Sequence, residues 1–283
     1  MQAGAVKELH YRVGSPALGH FPGHHRSTRG DSGFEFRGHA PLLDAPDPRR
    51  LDLHASLRDP FGGWIVRVHR QRMAIPVTIV ADLSASMGFA GTCRRLDVLA
   101  DLAESLSWSA WRTGDSFGFV GCDSAVRADA LLPQTRARGA GALLAQSLRA
   151  LTLKGRSAHA LRLAHRHLSR QRSLVFLVSD FHFALSEIEA VLATLAHHDL
   201  VPVLLRDPLE FALTAERGLA QVIDPESGQR RLVWWRPALR AQWNAARQQR
   251  FDALLRLFRA HRLAPLVIEG AFDADAVTRH FHA

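Results

Sequence analysis

Two apolar runs, each ending at an aspartate, most strongly constrain how this chain can fold. The first run, residues 75–81, is followed by Asp82, and the second, residues 173–179, is followed by Asp180. Short apolar runs of this kind are typical of strands that are buried on both faces of a sheet. Because a helical pattern follows each run, the sequence predicts an α/β fold with a largely parallel sheet.

The same patterns predict further strands and helices that continue this alternation. Strand 64–70 is expected to form an antiparallel hairpin with strand 75–81, and Pro133 is expected to end strand 126–132. The other predicted strands are 116–121, 173–179, 201–205, 219–223, 231–235 and 266–268, and the predicted helices are 96–112, 141–151, 158–168, 188–195, 237–261 and a short one at the end of the chain.

These elements divide the chain into three segments. Residues 1–72 are expected to form a wrapping segment of loops and short strands with an edge hairpin, because their first part is rich in Gly, Pro, His and Arg. Residues 73–206 are expected to form the α/β domain. Residues 207–283 are expected to form a β-hairpin and helical extension on the same core. Four N-terminal histidines lack helical metal-binding spacing and are interpreted as solvated loop residues; they are His20, His24, His25 and His39.

Side chains that carry oxygen atoms follow the two buried strands. Asp82, Ser84 and Ser86 alternate where the first strand turns into a helix. Ligands collect at the carboxyl ends of strands in such sheets, so Asp180, and Ser157 from a loop before a helix, are expected nearby. Carboxylates, hydroxyls and waters suit a hard cation, Mg²⁺ or else Mn²⁺ or Ca²⁺. Helix capping is the alternative role for these residues, and an equal one for Ser157.

Composition argues against several other functions. Arginines scattered along the chain carry most of the net charge of +9, and no nucleic-acid reader motif accompanies them. The two cysteines, Cys93 and Cys122, form no CxxC pair, which favours a reducing compartment. Because there is no signal-peptide pattern and no run of roughly 18 apolar residues, a cytoplasmic protein without a membrane span is expected.

Five short motifs match one family pattern when they are taken together. They are D-x-S-x-S-M at 82–87, D-P-R-x-I-D-W-x-x-S-A-R at 47–58, G-D-x-V-G at 114–118, S-D-F at 179–181 and D-x-E-S/T-G at 224–228. With them the chain resembles the bacterial domain-of-unknown-function 58 family from about residue 20 to its end. The resemblance implies a von Willebrand A-like (Rossmann-like) three-layer sandwich with a metal-dependent adhesion site.

The chain departs from the family pattern at three places. Leu53 stands where the family has tryptophan, and Leu57 where it has alanine. Ser157 replaces the threonine of the third metal loop, so it keeps the hydroxyl but loses the methyl group that stiffens χ1. Weaker cation binding is the expected consequence. Many relatives carry transmembrane helices, and none is expected here.

The resemblance also implies a partner. It implies that the chain acts together with AAA+ ATPases of the MoxR type, in a chaperone role or in metallo-enzyme maturation. One subset of such pairs is associated with methanol dehydrogenase assembly. The residues themselves predict a non-enzymatic adaptor whose cation captures an acidic group of a partner. The resemblance implies that this partner is the ATPase, a client protein or both.

Two other functions remain as alternatives. The first is a phosphatase-like hydrolase with Asp82 as nucleophile, although Ser84 stands where such enzymes need a second carboxylate as general acid. The second is a nucleic-acid-binding protein that uses the arginines of helix 237–261, which would bind duplex DNA with a steep salt dependence.

Overall fold

The computed structural model of the protein describes residues 8–12, 22–153, 155–211, 218–223 and 229–282. His20 and the predicted turn at 224–228 lie outside these residues. The strands are β1 (Pro22–Pro41), β2 (Ile65–Met73), β3 (Pro76–Asp82), β4 (Ser116–Cys122), β5 (Val126–Thr135), β6 (Leu174–Ser179), β7 (Asp199–Arg206), β8 (Gly218–Ile223), β9 (Arg230–Trp235) and β10 (Leu266–Glu269). The α-helices are α1 (Leu53–Leu57), α2 (Arg95–Thr113), α3 (Ala140–Ala150), α4 (Leu185–Leu195), α5 (Pro237–Ala260) and α6 (Ala274–His282).

A six-stranded sheet with the order β10-β7-β6-β3-β4-β5 forms the centre of the protein. All its neighbouring strands run parallel except β4 and β5, which are antiparallel. Because β3 and β6 are parallel neighbours, Asp82 and Ser179 at their carboxyl ends reach the same edge of the sheet. The predicted alternation of strands and helices around a mostly parallel sheet is confirmed.

Both faces of this sheet are covered by helices. Val77 and Ile79 of β3 pack in one apolar cluster with residues of α2, α3 and α6. Val80, which points to the opposite face, packs in a second cluster with residues of α4 and α5. Since burial of each such side chain contributes roughly 1.5–3 kcal/mol, the two clusters are the main source of stability. Two helical layers around one sheet confirm the predicted three-layer α/β sandwich.

The predicted hairpin between strands 64–70 and 75–81 is wrong. Strand β2 pairs with β1 in a separate two-stranded antiparallel sheet, with Ile65 opposite Pro41. Strand β3 has β4 on one side and β6 on the other, so it has no free edge for β2. The long strand β1 also replaces part of the loops that were expected in residues 1–72.

Two local predictions are also corrected. Strand β5 continues through Pro133 to Thr135, because it is an edge strand, where a residue without an N–H is tolerated. Residues His159–His167 form a 3₁₀ helix in place of the predicted α-helix. Ala158, Leu161 and Ala164 are all buried at a spacing of three, which matches the period of a 3₁₀ helix.

Asp52 connects the N-terminal elements. Its Oδ1 accepts the Ala55 N–H at the start of α1 at 3.1 Å, and its Oδ2 accepts Arg67 Nε of β2 at 2.7 Å. His39 Nε2 of β1 lies 3.0 Å from the same Oδ2, so this histidine has a structural partner. The hydrogen bond from Arg67, together with those from Ala55 and His39, lowers the pKa of Asp52.

The C-terminal predictions agree with the structure. Strands β8 and β9 are an antiparallel pair with Leu219 opposite Trp234, and α5 begins at the predicted Pro237. Strand β10 joins the central sheet beside β7. Within the described parts of the chain, no helix has the length and apolar character needed to cross a membrane.

Candidate metal site

Asp82 is the last residue of β3 and its carboxylate is fully buried. Its Oδ1 accepts the Ser84 N–H at 2.9 Å, and its Oδ2 accepts Ser179 Oγ at 2.7 Å. Each carboxylate oxygen has two lone pairs, so one hydrogen bond on each leaves acceptor capacity for a cation. The neighbouring strand β6 thus supplies a residue, Ser179, that positions Asp82.

Ser84 and Ser86 lie at the start of the 3₁₀ helix Ala85–Gly88 and are both buried. Although Ser84 is at the N-cap position, its side chain makes no capping hydrogen bond. Its Oγ lies 3.1 Å from Ser86 Oγ instead. For Ser84 the capping alternative is therefore wrong, and the two hydroxyls form a pair of oxygen donors beside Asp82.

Asp180 follows β6 directly and is almost completely buried. Its Oδ1 accepts the His182 N–H at 3.2 Å, and its negative charge contributes to the pKa of Asp82. The next residue, Phe181, has a positive φ of 53°, which is unusual for a bulky side chain. Because its N–H donates to Ser179 Oγ at 2.9 Å, this backbone conformation is held by the same serine that contacts Asp82.

The loop at Gly155 meets the Asp82 loop through its backbone. The Ala85 N–H donates to the Gly155 carbonyl at 2.8 Å, and Ser84 and Gly155 form a parallel bridge. Ser157 follows two residues later and is half-buried, but the described hydrogen bonds do not join its side chain to the other four predicted ligands. The N-cap of the following helix is Ala158, so the capping role considered for Ser157 is wrong.

A buried arginine also enters the site. Arg95 Nη1 donates to Asp180 Oδ2 and to the Ser86 carbonyl, both at 2.9 Å, and Nη2 binds Glu210. Only 4% of the Arg95 side chain is exposed, and its Nε has no hydrogen-bond partner among the described residues. His182 Nε2 lies 3.0 Å from the other Glu210 oxygen. The result is one ion-pair network at the edge of the sheet.

The carboxylates outnumber the cation within this network. Burial, with the charge of Asp180 as the second cause, raises the pKa of Asp82 from 3.8 to about 6. Burial and the charge of Asp180 both disfavour the ionised form of Asp82, and the guanidinium of Arg95 binds Asp180 and not Asp82. A divalent cation would supply positive charge beside Asp82.

A second group of metal-type ligands overlaps this network. Three ligand atoms lie within 4.8 Å of one another, one each from Asp180, His182 and Glu210. Both carboxylates already bind Arg95, however, so a cation there would have to displace a buried guanidinium. The donors at Asp82, Ser84 and Ser86 carry no such competitor and match a hard cation better.

Sequence analysis missed Arg95, Ser179 and Glu210. Ser179 belongs to the S-D-F motif, which was a readable signal. Glu210 lies in the 3₁₀ helix Pro208–Phe211, beyond the end of β7, and had no strand-end signal. Arg95 gave no such signal, because it looks like any other arginine of this arginine-rich chain at the start of a helix.

Replacement of Gly155 by alanine is expected to lower the free energy of unfolding by about 1–3 kcal/mol. A Cβ at this position would lie 2.3 Å from Asp123 Cβ, so the loop would have to move away from Ser84. Urea unfolding measures the change. Gly88→Ala is the control, because its Cβ would meet only Leu153 at 3.9 Å. Equal stability of the two variants would show that the Gly155 contact does not constrain the site.

Comparison with known proteins relates this chain to proteins without an assigned activity. A family model described as "Protein of unknown function DUF58" matches residues 46–252. The "Uncharacterized protein in moxR 3'region" of Paracoccus denitrificans is 38% identical over 101 residues, which are 36% of this chain and 96% of the relative.

Two solved structures are similar at lower identity. BatB from Bacteroides thetaiotaomicron is 14% identical with a TM-score of 0.44, and the match covers 74% of this chain and 98% of that one. The SpRpn10 VWA domain is 12% identical with a TM-score of 0.40, and the match covers 73% of this chain and 95% of the domain.

The family match includes the whole network described above. Asp82, Arg95, Asp180 and Glu210 all lie within residues 46–252, which are most of the chain. The predicted resemblance is therefore confirmed, and the chain belongs to the DUF58 family.

Proposed function

We propose that this protein is a non-enzymatic adaptor that binds Mg²⁺, or Mn²⁺ or Ca²⁺, and docks an acidic group of a partner protein. The observation that carries the proposal is the buried cluster of Asp82, Ser84 and Ser86 beside Asp180. Ser157, on the Gly155 loop, stays a predicted fifth member of this set. When bound, the cation would supply a positive charge that a partner carboxylate can share.

The donor set fits such a cation in three respects. All the donors are oxygen atoms, as hard divalent cations prefer. The hydroxyls of Ser84 and Ser86 are 3.1 Å apart and are not used to cap a helix. Burial and the charge of Asp180 raise the pKa of Asp82, and a bound cation would favour its ionised form.

The proposed partner is an AAA+ ATPase of the MoxR type, a client protein or both. The name of the Paracoccus denitrificans relative places that protein beside moxR, which supports this choice. A cytoplasmic location and a role in chaperone function or metallo-enzyme maturation, with methanol dehydrogenase as one client, belong to the same proposal.

A hydrolase is the weaker alternative. Ser84 lies where a phosphatase of the aspartyl type would need its general acid, and a serine hydroxyl cannot fill that role near neutral pH. Turnover of an aryl phosphate by the full chain, lost on Asp82→Ala, would favour this alternative over the adaptor.

Nucleic-acid binding through α5 is also a weaker alternative. Arg250 of this helix donates to the carbonyls of Phe181 and Phe183, so it packs on the Asp180 loop. An arginine used in this way holds the loop in place and is less available to a phosphate backbone.

The direct test is capture of a MoxR-type ATPase from the same organism by the immobilised full chain. We expect capture in Mg²⁺, its loss in EDTA and its loss for Asp82→Ala. Asp97→Ala is the control, since Asp97 is an exposed acid in the first turn of α2. Capture that is unchanged by EDTA and by Asp82→Ala would contradict the docking mechanism.

A further inference from the structure

A cavity of about 440 Å³ lies at the end of the sheet opposite to Asp82. Leu174 and Asp199, the first residues of β6 and β7, line it and are paired across the sheet. The ends of α4, α5 and α6 complete its walls. Its volume is within the range of roughly 300–1,000 Å³ that is usual for small-molecule sites.

Positive charge dominates the polar part of this cavity. Arg12, Arg172 and Arg262 line it, and Asp199 is the one carboxylate among the described lining residues. Arg172 Nη2 binds Asp199 Oδ1 at 2.9 Å, so this pair is neutral as a whole. Two net positive charges remain in the lining when its histidines are neutral.

The remaining walls combine apolar side chains with one buried donor. Leu192, Leu263 and Phe281 supply apolar surface. His198 is buried, and its Nδ1 accepts the Ser173 N–H at 3.3 Å, so the neutral ring carries its proton on Nε2. A ligand in this cavity would therefore meet cations, a hydrogen-bond donor and apolar walls together.

Arg262 occupies a backbone position that favours glycine. Its φ is +57°, and the Leu263 N–H donates to the Phe258 carbonyl at 2.8 Å across it, which ends α5. Arginine at such a left-handed position costs backbone strain that glycine would avoid. Because Arg262 is among the residues that line the cavity, its guanidinium group is within reach of a ligand bound there.

The geometry points to a binding site for a small organic phosphate monoester whose other part is apolar. Such a group carries a charge of about −1.5 to −2 at pH 7, which matches the two net positive charges of the cavity. Guanidinium groups bind phosphate oxygens through paired hydrogen bonds. The leucines and Phe281 accommodate the apolar part. This site is separate from the proposed cation centre and does not depend on it.

Phenyl phosphate tests the assignment by titration calorimetry with the full chain at low salt. Inorganic phosphate is titrated in parallel to measure binding of the anion alone. Benzyl alcohol is titrated to measure binding of the apolar group alone. We expect saturable 1:1 binding of phenyl phosphate, with inorganic phosphate and benzyl alcohol each at least about tenfold weaker, because each keeps only one of the two interactions.

Arg262→Gly is the informative variant, because glycine suits the backbone and the fold is expected to be at least as stable. It should weaken phenyl phosphate binding by about tenfold or more. Arg259→Gln, an exposed arginine of the same helix outside the cavity, is the control with the same loss of charge and should bind normally. Absence of binding at about 10 mM, equal binding by Arg262→Gly and the native protein, or equal affinity for inorganic phosphate would each overturn the assignment.

Discussion

Arg95→Met is expected to lower the free energy of unfolding by about 3–5 kcal/mol in EDTA. The native guanidinium is buried and bonds to Asp180, Glu210 and the Ser86 carbonyl. Methionine keeps a long apolar side chain but leaves Asp180 without its guanidinium partner and Glu210 with His182 alone. A buried charge that loses its partner is strongly destabilising. Urea unfolding in EDTA measures the change.

Magnesium should recover part of this loss. A ligand that binds only the folded state stabilises it by mass action, and without Arg95 no guanidinium competes for the carboxylates of Asp180 and Glu210. We therefore expect a larger stabilisation by Mg²⁺ in Arg95→Met than in the native protein.

Arg94→Met is the matched control for this pair of measurements. Arg94 is the preceding residue, is about half exposed and forms a loose ion pair with Asp97 at 3.6 Å. Its replacement should cost less than about 1 kcal/mol. If both variants unfolded at the same urea concentration, the buried network would not be a source of stability.

Asp82→Asn is expected to weaken Mg²⁺ binding by about 100-fold, which corresponds to about 2.7 kcal/mol. Asparagine keeps the size of the side chain and one carbonyl oxygen, but it removes the charge that a hard cation requires. Titration calorimetry with Mg²⁺, or Mn²⁺ titration followed by electron paramagnetic resonance, measures the affinity. Asp97→Asn on the protein surface should bind normally.

The same variant tests the charge of Asp82 without any metal. The pKa of Asp82 is raised from 3.8 to about 6 in the folded protein, so the folded state keeps a proton that the unfolded chain releases. Stability from this group is therefore complete below about pH 4 and is lost as the pH rises through about 6, by up to about 3 kcal/mol.

The Asp82→Asn variant should not show this loss of stability between pH 4 and 6. In the native protein, Mg²⁺ should reduce the loss of stability. Chemical unfolding in EDTA across this pH range, with a parallel series in Mg²⁺, makes the comparison. The same pH dependence in the native protein and in Asp82→Asn would assign the loss to other groups.

Local patterns determined much of the fold. The apolar runs of β3 and β6 were readable because every residue of both strands is buried, which leaves few polar residues in the pattern. The hairpin of β8 and β9 and the long helix α5 were readable from breakers and from Pro237. Strand pairing was harder to predict from the sequence. The short link between β2 and β3 would have allowed a hairpin, but β3 lies between β4 and β6, and β2 pairs with β1.

The sequence by itself determined where the oxygen donors lie. Asp82 ends one buried strand and Asp180 directly follows another, which the pattern shows, and ligands collect at such carboxyl ends. That the two strands are parallel neighbours comes from the structure. The two serines follow Asp82 along the chain, and the family motif accompanies them.

Only the tertiary structure decided what balances these carboxylates. Arg95 and Glu210 are far apart in the chain, and neither has a local pattern that distinguishes it from surface residues. Packing of α2 against the sheet buries Arg95 between Asp180 and Glu210 and leaves Asp82 with its raised pKa. The balance between the carboxylates and the guanidinium depends on distances between side chains that are remote in the chain. Spacing along the sequence does not determine those distances.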